Sequence, residues 1–229
     1  MSGCIVILNG APRSGKSSIA RVMQTTIPGV WINFGVDALM QMTPEALRPG
    51  IGLRPGGERP DLEPHVKTLF GALFNAVGAM ARAGVNVVAD LGIHDFYSQR
   101  LGILDEAVRR LSGMPVLLVG VHCPIDVIMA RRNADSHGGF YETGDVAPLT
   151  VTRWSAVHEP GIYDLELDSS KLSPEESAAG IATLLQAWPR PTALERLAHG
   201  ANGQPGTSPG SNPKVKAVPD KLAAKAKGT

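Results

Sequence analysis

Short apolar runs alternate with amphipathic segments over the first 190 residues of the chain. The apolar runs predict five buried strands, and the segments between them repeat apolar residues at helical spacing. The predicted strands are 4–9, 30–34, 85–90, 114–121 and 162–167. The predicted helices are 16–26, 38–40, 63–83, 97–112, 125–133, 148–157 and 174–187. Strands that alternate with helices predict an α/β fold with a five-stranded parallel sheet and helices on both faces.

Two segments depart from this alternation. Residues 43–61 contain eight prolines and glycines, which exclude long regular structure. A loop of this length inside a domain is typical of a lid, a binding loop or a disordered segment. Residues 191–229 become rich in Pro, Gly, Ser, Asn and Lys, and predict a disordered, basic C-terminal tail that follows a domain of residues 1–190. The tail is either a tether to an anionic partner or a solvated extension, with a transient helix at 221–227.

Composition and charge narrow the classes of protein. The 229 residues are 43% hydrophobic, but the apolar runs are too short to span a membrane, and the one at the N-terminus indicates a strand rather than a signal peptide. Cys4 and Cys123 lie in apolar runs, which favours core residues in a reducing, cytoplasmic compartment.

The net charge of the chain is +1, but it is unevenly distributed. Residues 200–229 hold five lysines and one acidic residue, Asp220, so they contribute +4 and the rest of the chain contributes −3. We therefore expect no nucleic-acid partner. The pattern does not indicate an oligomeric state.

The first candidate binding motif is the segment Gly10-Ala11-Pro12-Arg13-Ser14-Gly15-Lys16-Ser17, which lies between the first predicted strand and the first predicted helix. It matches the phosphate-binding pattern G-x-x-x-x-G-K-[ST], known as Walker A. The loop amides and the helix N-terminus would surround phosphate oxygens, Lys16 would reach the β- and γ-phosphates, and Ser17 would bind Mg²⁺. The alternative is a glycine-rich turn without a ligand. The predicted nucleotide-binding residues are Gly10, Ala11, Pro12, Arg13, Ser14, Gly15, Lys16, Ser17 and Ser18, and the predicted cofactors are ATP and Mg²⁺.

Two aspartates follow neighbouring strands at the carboxyl edge of the predicted sheet, where ligands of such folds bind. Asp37 follows the second strand and is our candidate for the base that accepts the proton of an acceptor hydroxyl. Its alternative role is to cap the helix that begins at Ala38. Asp90 ends the third strand and resembles a Walker B aspartate, so it is the second predicted metal-binding residue beside Ser17. Its alternative role is that of a turn residue at the end of the strand. Asp37 and Asp90 together are the predicted substrate-binding residues.

A kinase also needs positive charge beside the phosphoryl group that it transfers. Arg131, at the end of the predicted helix after the fourth strand, is the predicted catalytic arginine. With Lys16 and Asp37 it completes the predicted catalytic residues. Arg132 and Arg13 are alternatives, and the arginines at 131 and 132 could instead stabilise a helix C-terminus. Four further positions are weaker candidates for substrate binding. His94 and Asp95 lie in the loop after the third strand, where a lone histidine is more often solvated. The pair 158–159 lies either at the acceptor site or in a surface turn.

Several segments of the chain resemble the chloramphenicol phosphotransferase family. They are Ile7-Leu8-Asn9-Gly10, Ser14-Gly15-Lys16-Ser17, Phe34-Gly35-Val36-Asp37, Met80-Ala81-Arg82-Ala83-Gly84 before the strand that ends in Asp90, Val119-Gly120-Val121-His122-Cys123 and Val157-His158-Glu159 with Tyr163-Asp164 and Glu166-Leu167-Asp168. The resemblance covers residues 4–185. It implies ATP-dependent phosphorylation of an antibiotic hydroxyl, a base at Asp37, an aspartate at Asp90 near the acceptor, and lid arginines of which Arg131 is one.

The sequence therefore predicts an ATP-dependent kinase with a P-loop fold, a three-layer sandwich of the nucleoside and shikimate kinase type. Its partner is a small molecule with a hydroxyl group, such as chloramphenicol or a related metabolite. Two alternatives stay open. One is another small-molecule P-loop kinase, such as a zeta-toxin-like or sugar kinase, and the other is a regulatory ATPase or switch without an acceptor.

Overall fold

Five parallel strands form the single sheet of the computed structural model, which describes residues 2–50, 60–134, 148–187 and 192–200. The strand order is β2-β3-β1-β4-β5. The strands are β1 (Ile5–Asn9), β2 (Trp31–Asn33), β3 (Asn86–Leu91), β4 (Val116–His122) and β5 (Leu165–Asp168). The predicted five-stranded parallel sheet is confirmed, with strand ends that differ by a few residues.

Eight α-helices are described, and they cover both faces of the sheet. They are α1 (Lys16–Thr26), α2 (Val36–Met42), α3 (Glu63–Arg82), α4 (Ile103–Arg110), α5 (Ile125–Ala134), α6 (Pro148–Ala156), α7 (Pro174–Gln186) and α8 (Ala193–Gly200). On one face Ile5 and Ile7 pack in a core with α2, α3, α4 and α8. On the other face Val6 and Leu8 pack with α1 and α7. Because β1 is buried on both faces, its sequence is apolar without alternation.

Helix α4 begins at Ile103, six residues later than the predicted start at residue 97. Asp95 Oδ1 accepts hydrogen bonds from the backbone N–H groups of Gly102 (2.8 Å) and Ile103 (3.3 Å). Gly102 has φ +66°, a left-handed conformation that favours glycine. The predicted helix over 97–112 is therefore wrong in its first part, because a capping side chain and a glycine start the helix later.

Helix α8 packs against the domain, although the sequence placed it in the tail. Ala193 and Leu194 are buried in the core beside α4 and β4. The buried carboxylate of Asp164 accepts hydrogen bonds from the N–H groups of Leu118 and Ala193, both at 2.8 Å. The predicted boundary after residue 190 therefore separates α8 from the domain that it packs against. The side chain of Asp164, distant in sequence, holds the start of α8 in place.

Several predicted segments lie wholly or partly outside the described residues. Residues 43–61 contain short 3-10 turns at Glu45–Gly50 and Pro60–Leu62, which agrees with the absence of long regular structure, whereas 51–59 are not described. Residues 135–147, which follow α5, and the predicted tail beyond residue 200 are also outside the described part. Within the described residues, no helix combines the length and the hydropathy needed to cross a membrane.

We expect α8 to contribute to the stability of the domain. A chain that ends at residue 190 should have a free energy of unfolding about 2–5 kcal/mol lower than a chain that ends at residue 200. This range combines the burial of Leu194 with the loss of the Ala193 hydrogen bond to a buried carboxylate. Urea denaturation of both chains measures the difference. Equal midpoints and slopes would show that α8 is a passive extension.

Candidate active site

The loop at residues 10–17 leaves β1 and turns directly into α1. Arg13 and Gly15 have left-handed backbone conformations, with φ +63° and +92°. Gly10 is packed so closely that an added Cβ would lie 2.4 Å from the carbonyl oxygen of Val121. Gly15 is the N-cap of α1 and offers no side-chain acceptor, and the first turn has no acidic residue. The positive N-terminal end of α1 therefore favours the binding of an anionic ligand.

Three polar side chains meet at the start of α1. The Ser17 hydroxyl donates to Asp90 Oδ2 at 2.5 Å, and Lys16 Nζ lies 3.5 Å from Asp90 Oδ1. Lys16 Nζ also donates to the Ala11 carbonyl at 2.8 Å, and its side chain is 9% exposed. Parallel pairing of β1 with β3 sets Leu8 opposite Asp90, which brings the end of β3 beside the loop. A hydroxyl and a carboxylate oxygen are ligands that Mg²⁺ prefers, so this pair fits the predicted metal site.

Asp37 lies in the first turn of α2 and is exposed. The N-cap of α2 is Gly35, so the alternative of Asp37 as the N-cap is wrong, although a carboxylate in the first turn still favours the helix. A Cβ on Gly35 would lie 2.3 Å from the carbonyl oxygen of Asp90. This close approach sets the start of α2 directly against the end of β3. The structure therefore brings the two predicted aspartates to one edge of the sheet.

Arg131 connects the loop to the turn after β5. Its guanidinium donates to the Ser169 carbonyl (2.7 Å), the Ser169 hydroxyl (3.3 Å) and the Arg13 carbonyl (3.2 Å). It also lies 3.4 Å from Cys123 Sγ, a free and half-buried thiol. Arg132, one of the alternatives, is 3% exposed. Arg131 therefore contacts the backbone of the phosphate-binding loop.

His158 belongs to a polar cluster near Lys16 of the phosphate-binding loop, so it does not lie in a simple surface turn. Its ring stacks on His122 with centroids 3.9 Å apart, and its Nδ1 lies 3.0 Å from the Tyr163 hydroxyl. Burial, the neighbouring His122 and the Lys16 charge lower the pKa of His158 to about 3. His122 Nε2 lies 3.0 Å from Glu166 Oε2 without the alignment of a hydrogen bond. His158 is therefore a neutral group at physiological pH.

His94 is buried, contrary to the expectation of a solvated loop histidine. It is 4% exposed, its Nδ1 accepts from the N–H of Phe96 at 3.0 Å, and its ring stacks on Tyr97. Burial lowers its pKa to about 4, although the Asp95 charge acts in the opposite direction. Asp95, the neighbouring candidate, caps α4 and pairs with Arg100. The loop after β3 is therefore an ordered part of the domain.

Sequence reasoning missed Asn9 as a site residue. Its side chain is buried and makes three hydrogen bonds. Oδ1 accepts from Ile93 N at 2.7 Å, and Nδ2 donates to the Val157 carbonyl (2.7 Å) and the Tyr163 hydroxyl (3.0 Å). The sequence signal that could have identified Asn9 is its position as the one amide residue of an otherwise apolar strand, immediately before Gly10.

Comparisons with known proteins agree with this geometry. The family model described as chloramphenicol phosphotransferase-like protein matches residues 3–186. A Mycobacterium tuberculosis protein named as a candidate O-phosphotransferase is 29% identical over 212 residues, which are 85% of this chain and 88% of that protein.

Solved structures of kinases share the fold. A sugar kinase from Janibacter is 21% identical with a TM-score of 0.57, over 80% of this chain and 95% of that one. The Mycobacterium tuberculosis APS kinase is 17% identical with a TM-score of 0.54, over 81% and 98%. The predicted P-loop kinase fold and the predicted phosphotransferase class are confirmed. Because the family model covers most of its length, the chain belongs to the chloramphenicol phosphotransferase-like family.

Proposed function

We propose that this phosphotransferase moves the γ-phosphoryl group of ATP to a hydroxyl group of a chloramphenicol-like antibiotic or a related metabolite. The observation that carries the proposal is the cluster of Lys16, Ser17 and Asp90 at the uncapped start of α1. Asp37 lies at the same edge of the sheet. A phosphate site beside a carboxylate is the arrangement that transfer to an alcohol requires.

The donor half would bind ATP through backbone and side-chain groups of residues 10–18. The first-turn N–H groups of α1 and the Lys16 ammonium would hold the phosphate oxygens, and the Arg131 guanidinium would add positive charge at the loop. Ser17 and Asp90 would hold Mg²⁺, which neutralises phosphate charge when it is bound.

The acceptor half would use Asp37 as the general base. The acceptor oxygen forms a bond to the γ-phosphorus, the bond from that phosphorus to the β,γ-bridging oxygen breaks, and ADP leaves. The hydroxyl proton passes to the Asp37 carboxylate, which is exposed and can therefore be reached by an acceptor. Asp90, whose backbone packs against Gly35 at the start of α2, would border the acceptor and orient the metal.

A direct assay tests the reaction. The protein is incubated with ATP, Mg²⁺ and, in separate samples, chloramphenicol, D-glucose or shikimate, and the products are weighed by mass spectrometry. We expect chloramphenicol to gain one phosphoryl group and to accelerate ADP release. Phosphorylated glucose alone would support a sugar kinase instead. ADP release that no compound accelerates would contradict small-molecule phosphotransfer.

Replacement of the proposed base should separate binding from chemistry. Asp37→Asn removes the proton acceptor and leaves the phosphate-binding groups in place, so kcat should fall about 10²- to 10⁴-fold. The Kd for ATP, measured by calorimetry, should change less than about twofold, because the substitution leaves the loop donors of residues 10–18 unaltered. Glu175→Gln makes the same charge change in the first turn of α7 and is the control. Near-normal turnover in Asp37→Asn would remove Asp37 from the role of base.

Loss of the loop lysine should weaken both steps. Lys16→Ala removes a charge-assisted hydrogen bond to phosphate, so ATP should bind at least about tenfold more weakly and kcat should also fall. Lys67→Ala is the matched control, since Lys67 is an exposed lysine on α3 that pairs with Glu106. Equal ATP affinity in Lys16→Ala and Lys67→Ala would contradict the phosphate role of Lys16.

A further inference from the structure

The segment of residues 92–102, between β3 and α4, is irregular but attached at several points. Ile93 N donates to Asn9 Oδ1 at 2.7 Å, which fixes the start of the segment to the residue before Gly10. Ser98 N donates to Glu63 Oε1 at 3.0 Å, and the Ser98 hydroxyl also donates to this carboxylate. Glu63 is itself buried. Ordered loops at the carboxyl edge of a parallel sheet commonly carry ligand contacts.

The hydrogen bond that His94 accepts determines its tautomer. Nδ1 accepts from the backbone N–H of Phe96, so Nδ1 carries no proton. Since the pKa of His94 is lowered to about 4 by burial, the ring is neutral at physiological pH and its proton is on Nε2, which is then a hydrogen-bond donor. The Tyr97 ring, with its centroid 4.5 Å away, fixes the plane of the imidazole.

Among the residues that the structure describes, none accepts a hydrogen bond from this Nε2–H group. Of the buried side-chain nitrogen and oxygen atoms in residues 92–102, His94 Nε2 alone makes no hydrogen bond. Only 4% of the residue is exposed, so bulk water does not accept a hydrogen bond from this donor. An uncompensated buried donor is unfavourable, and a ligand that accepts its hydrogen bond removes this cost.

The surroundings of His94 match the proposed acceptor site. The segment begins directly after β3, which contains Asp90, and the start of α2 with Asp37 packs on the Asp90 backbone. Phe96, two residues from His94, is 37% exposed and lies below the Arg153 guanidinium of α6, 5.7 Å from its ring centroid. His94 thus belongs to the segment that leaves β3 at the same edge of the sheet as Asp37 and Asp90.

We propose that His94 determines acceptor specificity by donating a hydrogen bond from Nε2 to an acceptor oxygen other than the hydroxyl that is phosphorylated. This inference rests on the proposed function and names its substrate class. The acceptor carries a second oxygen close to the reacting hydroxyl, as a diol, a polyol or a hydroxyamide does. An alcohol without the second oxygen leaves the buried donor unsatisfied and is a poor substrate.

Two substitutions separate the structural nitrogen of His94 from the proposed recognition nitrogen. The side-chain oxygen of His94→Asn takes the position of Nδ1 and keeps the bond to Phe96 N, but removes the donor at Nε2. The amide nitrogen of His94→Gln takes the position of Nε2 and keeps that donor, but removes the acceptor at Nδ1. For the wild type and both variants, KM for the acceptor, KM for ATP and thermal stability are measured. The acceptor is whichever of chloramphenicol, D-glucose and shikimate the wild type phosphorylates.

We expect His94→Asn to raise the acceptor KM about five- to a hundredfold and to leave the ATP KM unchanged. We expect His94→Gln to keep the acceptor KM within about threefold of the wild type and to melt at a lower temperature. An unchanged acceptor KM in His94→Asn, or an equal increase in both variants, would overturn the proposal and leave the proposed function intact. A wild-type protein that phosphorylates none of the three compounds would overturn the proposed function and this inference with it.

Discussion

The buried amide of Asn9 joins the three segments that carry the candidate site. Its oxygen holds Ile93 after β3, and its nitrogen holds the Val157 carbonyl and the Tyr163 hydroxyl before β5. Asn9 also immediately precedes Gly10, so the phosphate-binding loop starts from this point. Because all three bonds are buried, any change that removes one leaves a polar group without solvent. The relative positions of the loop, the segment after β3 and the cluster around His158 therefore depend on one side chain.

Close backbone contacts at two glycines complete this arrangement. Gly10 lies against the Val121 carbonyl and Gly35 against the Asp90 carbonyl, each too close for a Cβ atom. The first contact brings β4 to the loop, and the second brings α2 to the end of β3. Asp37 and Asp90 are far apart in sequence but share one edge of the sheet because of the second contact. Regular strand pairing alone would not bring α2 so near.

The sequence was informative where structure depends on neighbours along the chain. The loop at 10–17 and the buried strands have local signatures, and the observed order of β1, α1 and β3 follows from them. The late start of α4 and the packing of α8 depend on Asp95 and Asp164, whose partners are seven to 46 residues away. The burial of His94 depends likewise on contacts of a loop that has no repeating pattern. Such contacts leave no periodicity in the sequence, and propensity alone could not find them.

The electrostatics of the candidate site follow from the same burial. His94 and His158 have pKa values of about 4 and 3, so neither contributes positive charge at physiological pH. Positive potential at the loop then comes from Lys16, Arg131 and the N-terminus of α1. The histidines that the sequence offered as candidates are accordingly fixed hydrogen-bonding groups rather than charges. In the proposed reaction, attraction of the phosphate groups therefore falls to Lys16, Arg131 and the start of α1, whereas the two histidines offer only neutral hydrogen bonds.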